Sequence, residues 1–462
     1  MRASGLGHTL RMGENDGASQ LIEGLTRALA RAGLGAPDKL ERLTGGATME
    51  SWRFSAGGED YVLRRAPSLA MIEERPFGHD TEAAIIREAH AAGVAAPEVV
   101  VELQDSDQIG SGFVMRALPG TPDPREILAM EEPDRLLAEA AANLARIHAI
   151  PAADLPQDVP VLDYAEGIAK LCEQFEEAGG DRPIIALGLR WLMDNVPEPI
   201  EPVLNHGDFR MGNLLAQDGW LTGVLDWELA HFGDYHEDLA FGCMPVWRFG
   251  AYDRPALGLG SLEDYFSAYE ANGGRTVDPA RFRFWTIYRT VWWALGCLKN
   301  ARMWRSGEDR MLERVVISRR TSEQEVDLLL LLEEDAPAEE LKRQVIAYEN
   351  FTPPEGEAAI SEIAEAISDW LDTIKHKMEG HDRFQLAVAR NALGMISRED
   401  RSLSTLALQH WDWCKAILAG DVGLETPEFL AMARAWALLK LEADVPKYPS
   451  LEVARRKWLG EH

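Results

Sequence analysis

In the stretch HGDFRMGN, His206, Asp208, Arg210 and Asn213 fall within eight residues, and Asp226 follows thirteen residues later in LDWE. These residue types suit phosphoryl transfer. One carboxylate must orient an attacking hydroxyl and accept its proton. Hard oxygen atoms must hold magnesium on the phosphates, and positive charge must meet the oxygens over which charge spreads. Asp208 is expected to be the base, Asn213 and Asp226 the magnesium ligands, and Arg210 to lie within reach of the transferred phosphate. Any one of these residues could merely cap a turn. The ordered set is what favours chemistry.

Such residues need a rigid support. An apolar lead-in, VLN, delivers the first group onto a tight loop, and the apolar run LTGVLD delivers Asp226. Upstream, from Leu40 to Ala66, the segments LERL, MESWRFSA and YVLRR read as three short strands joined by the Gly-rich turns TGGAT and AGGED. A helix from about 80 to 92 is stopped by Gly93, and PEVVVEL and GFVMRAL read as two further strands. Residues 18–33 carry apolar positions at helical spacing, stopped by Gly33 and Gly35. From about Pro122 the pattern is mainly helical apart from the strand-rich island at 203–226. The acidic stretch at 323–357 ends in ENFTPPEGE, where Pro-Pro and Gly break any helix. Beyond it Ile360, Ile363, Ala364, Ile367, Leu371, Ile374 and Met378 line one helical face, and four more helical segments follow. The expected divisions are a helical segment at 1–39, a small mixed sheet lobe at 40–119, a helical lobe at 120–345, a linker at 346–357 and an all-α bundle at 358–462. The fold class is α+β.

HGDFRMGN followed by LDWE resembles the catalytic and metal-binding motifs of the aminoglycoside phosphotransferase and choline kinase superfamily, over roughly residues 40–305. That resemblance implies a two-lobed protein-kinase-like fold, with ATP and magnesium as cofactors. It implies a glycine-rich turn over ATP, here LTGGAT with Gly45, Gly46 and Thr48. It implies a phosphate-binding cation at the end of the YVLRR strand. Most relatives carry lysine there; this chain has Arg64, which can bind phosphate oxygens bidentately but is longer and planar. Glu82 matches the helix glutamate that pairs with that cation, with Glu88 its competitor. FVMRALPG resembles the hinge, where backbone groups near Met115 to Ala117 would bind adenine. His206, Asp234 and Asp238 are expected to brace the loop.

The acceptor is less constrained. YVLRRAP, HGDFR and GSGFVMRALPGT resemble the kinase domains associated with acyl-CoA dehydrogenases, and the C-terminal segment resembles a helical domain found beside such kinases. This implies a hydroxyacyl-CoA or related hydroxy acid as acceptor. The stretch 281–302 offers Trp285, Tyr288, Trp292 and Trp293 with Arg281, Arg283, Arg289, Lys299 and Arg302 for an acyl-CoA, or simply as core. The alternatives are an aminoglycoside or amino-alcohol kinase, which the overall acidity would suit, and a pseudokinase scaffold.

The bulk properties bound these readings. The 462-residue chain is 46% apolar, enough for real cores, and its net charge of −29 repels nucleic acid phosphates and anionic lipid. The expected partner is therefore a small-molecule hydroxyl acceptor, CoA-linked in the preferred reading, with no nucleic acid and no membrane. Four cysteines without a paired spacing fit reduced thiols in a cytoplasmic setting.

Overall fold

The computed structural model describes residues 6–43, 49–67, 75–346, 358–401 and 410–460. The chain forms two compact units, each discontinuous in sequence. One comprises Met1–Leu162, Ile200–Gly242 and Leu259–Val277; the other comprises Asp163–Pro199, Cys243–Gly258 and Asp278–His462.

The first unit is built on a five-stranded antiparallel sheet, β1 (Asp38–Arg42), β2 (Glu50–Ala56), β3 (Glu59–Ala66), β4 (Val99–Glu102) and β5 (Ser111–Arg116), in the order β1-β2-β3-β5-β4. These are the five strands expected from alternation and glycine turns. Phe54, Tyr61, Leu63 and Val114 bury on one sheet face against Leu21, Leu25 and Leu29 of the helix Leu6–Arg31. Arg31 pins that helix by forking onto Asp107 at 2.6 and 2.7 Å. The helix His79–Ala91 packs on the sheet with Ala83, Ile85, Ile86 and Ala89 buried.

Two small antiparallel ribbons complete the support: β6 (Val203–Asn205) pairs with β9 (His231–Gly233), and β7 (Leu214–Gln217) with β8 (Trp220–Val224). The ribbon ends present the loops 206–213 and 225–230. The helices Pro133–His148, Tyr235–Phe241 and Leu262–Ala271 stand behind them.

The second unit is helical. Its centre is the helix Thr321–Leu332, where Val326, Leu328, Leu329 and Leu332 have no exposed surface. The helices Pro183–Asp194 and Pro279–Ser306 pack on it from earlier in the chain, and Phe429–Asp444 and Pro449–Leu459 from the C-terminal segment. Two buried carboxylates fix those last helices. Glu333 receives Arg434 at 2.6 Å and the Trp458 indole at 3.0 Å. Asp327 receives the Tyr448 and Ser450 hydroxyls, each at 2.5 Å. The linker expected at 346–357 lies, after its first residue, outside the described residues.

One expected face is split. In the helix Ile360–Ile374, Ala364 is buried, but Ile360, Ile363 and Ile367 are exposed. The helix Gly380–Arg401 bonds to it through Ser361 and Glu365, on a side away from those isoleucines. Among the described residues no helix is long and apolar enough to cross a membrane.

Candidate active site

The loop 206–213 is held from behind. Asp238 accepts the backbone N–H groups of His206 at 2.5 Å and Gly207 at 2.8 Å. Burial opposes ionisation of Asp238, but His148, His206 and those N–H groups hold its carboxyl below the usual range. Asp234 does a different task, capping the helix Tyr235–Phe241 through the His236 N–H at 3.0 Å. Gly207 has φ +79°, and a Cβ there would meet the Leu229 carbonyl oxygen at 2.2 Å, so only glycine fits the turn.

His206 is wholly buried, with its ring 4.6 Å from that of Trp227. Its Nδ1 accepts the Asp208 N–H at 3.2 Å, which assigns the proton to Nε2, facing the Leu225 carbonyl at 3.1 Å. Burial lowers its pKa, so the ring is a neutral brace between the two loops.

Asp208 lies at the loop's turn. Its Oδ2 accepts from the Asn213 amide nitrogen at 2.5 Å, and its carboxylate takes the Arg210 guanidinium through Nε at 2.8 Å and Nη2 at 3.2 Å. Burial raises the Asp208 pKa; Arg210 pulls it back and Asp226 pushes it further up. Such a carboxylate is a stronger base than a free one, and the attached Arg210 favours its ionised form. The structure thus places Arg210 on the base itself. Asn213 spends its amide nitrogen on Asp208, which leaves its oxygen as the atom to offer a cation.

Asp226 follows β8 with φ +70°, a left-handed conformation that aspartate tolerates better than most residues. Its Oδ1 meets Arg64 Nη2 at 2.7 Å. The same guanidinium reaches Glu228 at 2.7 Å and Glu82 at 3.2 Å. Burial works against the Arg64 charge, yet these three carboxylates outweigh it and raise its pKa. Glu82 is the helix partner, as preferred over Glu88. It also receives Arg75 at 2.7 Å. Arg75 and Glu228 were not singled out in the sequence. Glu228 could have been, since it stands two residues past Asp226 on the same turn. Burial, then the Asp226 charge, raises its pKa against Arg64 and Arg75.

Arg64, Glu82, Arg210, Asn213, Asp226 and Glu228 line one cleft of about 730 Å³, with Val62, Ile86, Phe113, Leu215 and Leu225 as apolar walls. Met115 and Ala117 line it too, but the Arg116 N–H is taken by the Glu98 carbonyl and the Ala117 N–H by Asp60. The next amide along, Leu118, lines the same cleft. Gly45, Gly46 and Thr48 lie outside the described residues. Among the described residues no cluster of three or more His, Cys, Asp or Glu is arranged for a metal. Two oxygen donors beside a phosphate-sized cleft suit magnesium, which keeps few protein ligands and completes its shell with phosphate and water.

Part of the aromatic and basic set on the helix Pro279–Ser306 is spent on the fold. Trp285 and Tyr288 are core, Arg283 is held by Asp335 at 3.0 Å, and Arg302 is paired with Glu177 at 2.5 Å.

A model of the phosphotransferase enzyme family, APH, matches residues 39–285. Acyl-CoA dehydrogenase family member 10 of Mus musculus is 29% identical over 259 residues, 52% of this chain and 24% of that protein. Family member 11 of Gallus gallus is 27% identical over 251 residues, 50% of this chain and 31% of that protein. The chain therefore spans a third or less of the length of these relatives. A crystal structure from Ralstonia eutropha, described as an aminoglycoside phosphotransferase, aligns with TM-score 0.55 at 20% identity over 67% of this chain and 97% of that one, a likeness of fold.

Proposed function

The chain belongs to the phosphotransferase enzyme family, and from that premise we propose that it moves the terminal phosphoryl group of ATP, with magnesium, onto a hydroxyl of a small molecule, best a hydroxyacyl-CoA or related hydroxy acid. The observation that carries the reaction type is the convergence of Arg210, Asn213, Asp226 and the Arg64–Glu82 pair on a single cleft, with Asp208 bonded to Arg210 and Asn213 directly behind its wall. ATP with magnesium would supply the phosphoryl group and screen its oxygens. Asn213 and Asp226 are the oxygen donors suited to the metal, and Arg64 is the cation for the phosphates. The apolar walls suit adenine, with the chain from Met115 to Leu118 along the hinge side of the cleft.

The protein's own part in the step is positioning and one proton. Asp208 orients the acceptor hydroxyl and takes its proton as oxygen attacks phosphorus. Arg210 favours the ionised form of Asp208 and holds it in place, and Asn213 fixes it from the other side. His206 and Asp238 hold the loop so that this geometry needs no rearrangement at the moment of reaction.

The acceptor proposal draws on the kinship with acyl-CoA dehydrogenase family members 10 and 11. The net charge of −29 favours a second reading, a cationic amino-alcohol or aminoglycoside acceptor. An intact set of Asp208, Asn213 and Asp226 weighs against a pseudokinase. The test is an ATP-consumption screen over hydroxyacyl-CoAs, free hydroxy acids, amino alcohols and aminoglycosides, with mass detection of the phosphorylated product. Turnover of a hydroxyacyl-CoA that disappears in Asp208→Asn supports the proposal. ATP binding with no phosphorylated product in any class would favour the scaffold instead.

A further inference from the structure

Arg64 carries more carboxylates than a phosphate-binding cation has room for. Its Nε faces Glu82 Oε1 at 3.2 Å, and its Nη2 serves both Asp226 Oδ1 and Glu228 Oε2, each at 2.7 Å. With Asp226 given to a metal ion, Glu228 still occupies Nη2. A carboxylate seated on that nitrogen competes with a phosphate oxygen for the same donor and repels it. Phosphate binding therefore needs a group that draws Glu228 away.

Arg75 is placed to do this. Its Nη2 donates to Glu82 Oε2 at 2.7 Å and stands 3.6 Å from Glu228 Oε2, the oxygen that Arg64 holds. Closing that gap to hydrogen-bond distance takes about 1 Å. The guanidinium also has capacity in reserve. The Arg75 side chain is 10% exposed, and its Nε and Nη1 are buried with no acceptor among the described residues. Buried donors without acceptors cost free energy, so a carboxylate that moves onto this guanidinium meets donors already stripped of water. Glu228 is the movable member, 36% exposed against 1% for Glu82. Glu82 meets its two cations through different oxygens and so holds the guanidiniums side by side. Arg75 does not itself line the cleft.

We infer that Arg75 is a positioning residue for phosphate binding: it takes Glu228 as nucleotide enters, and so releases Arg64 to the phosphates. The inference rests on the reading of this cleft as the site of ATP and magnesium.

The test is calorimetry of the full chain with magnesium and AMP-PNP, a non-hydrolysable ATP analogue, beside melting curves of the empty protein. Arg75→Met should weaken nucleotide binding about 10-fold, the worth of one charge-assisted contact. Arg75→Lys should restore most of it, because a single nitrogen now serves both carboxylates and an ammonium keeps the charge there. In a Glu228→Gln background there is no carboxylate to draw off, so Arg75→Met should change affinity by less than about 2-fold. The empty Arg75→Met protein should stay folded, since Glu82 keeps Arg64. Should it not fold, the comparison moves to a Glu82→Gln background, where no buried carboxylate needs a second cation; there Arg75→Met should again cost about 10-fold in affinity. Wild-type affinity in Arg75→Met, with or without a lower melting temperature, overturns the inference and leaves the assignment of the cleft standing. So does an equal loss in the Glu228→Gln background, which would make the role of Arg75 merely structural. A wild type that binds no AMP-PNP with magnesium overturns the nucleotide reading itself, and this inference with it.

Discussion

Each unit buries an arginine among carboxylates, and the two arrangements differ in how they balance. In the helical unit Arg434 meets one carboxylate, Glu333, whose remaining capacity is filled by Trp458 and Lys457. Arg434 and Glu333 are 3 and 0% exposed, and the partners of Glu333 are all donors. In the cleft Arg64 is shared among Glu82, Asp226 and Glu228, with Arg75 as a second cation on two of them. A closed pair sets a structure. An oversubscribed cation beside half-open carboxylates can give up one of them to a metal ion and turn to phosphate without leaving any group stranded.

That contrast can be broken at several points. The largest effect is expected from Asp226→Ala, which removes the main anionic donor for magnesium; phosphoryl transfer should drop to background while the fold persists. An active variant with an unchanged magnesium requirement would end the assignment. Arg434→Met should cost about 2–3 kcal/mol of stability by removing the guanidinium from the buried Glu333, which keeps only Lys457 and Trp458, measured by urea unfolding, with nucleotide affinity unaltered. Loss of affinity in step with stability would mean that the two networks do not divide the work as described.

A smaller change separates the cations. Arg64→Met should lower turnover roughly 10²-fold, as for loss of one donor to the developing charge. Arg64→Lys should keep measurable activity, since both cations can meet phosphate. Equal kinetics in all three proteins would free Arg64 from the phosphates.

The smallest effect is a slope. Burial raises the Asp327 carboxyl to about 7, against the pull of Ser450 and Tyr448. A carboxyl raised on folding contributes stability at low pH, which is lost as pH climbs from its unfolded value near 4 to its folded value near 7. The difference in unfolding free energy between wild type and Asp327→Asn should therefore change across that window, by up to ~1.4 kcal/mol per pH unit, and be flat above it. A constant difference from pH 4 to 8 would remove this role from Asp327.

The cleft was readable in the sequence where its parts are contiguous. HGDFRMGN and LDWE place four functional groups on two short loops, so spacing alone carries them. Glu82 was readable only through the family resemblance, which implies a helix glutamate opposite the strand cation. Arg75 was not, because it lies outside any motif and finds Glu82 only through tertiary packing. Which hinge amides are spent was not readable: Asp60, across the sheet, takes the Ala117 N–H, and strand register is not written in either segment. The aromatic helix Pro279–Ser306 shows the reverse limit, where composition suggested a binding surface and packing made Trp285 and Tyr288 core.

The latch of Asp327 to Tyr448 and Ser450 has a consequence for synthesis. Asp327 emerges from a ribosome 121 residues ahead of Tyr448, and Glu333 emerges 101 residues ahead of Arg434. Until those residues arrive, the centre of the helical unit carries two carboxylates that an apolar wall would have to take in without donors. A nascent or broken chain that stops short of residue 434 is thus kept from native packing by its own charges. Limited proteolysis of a chain truncated before Arg434 should therefore cut this unit faster than it cuts the full chain.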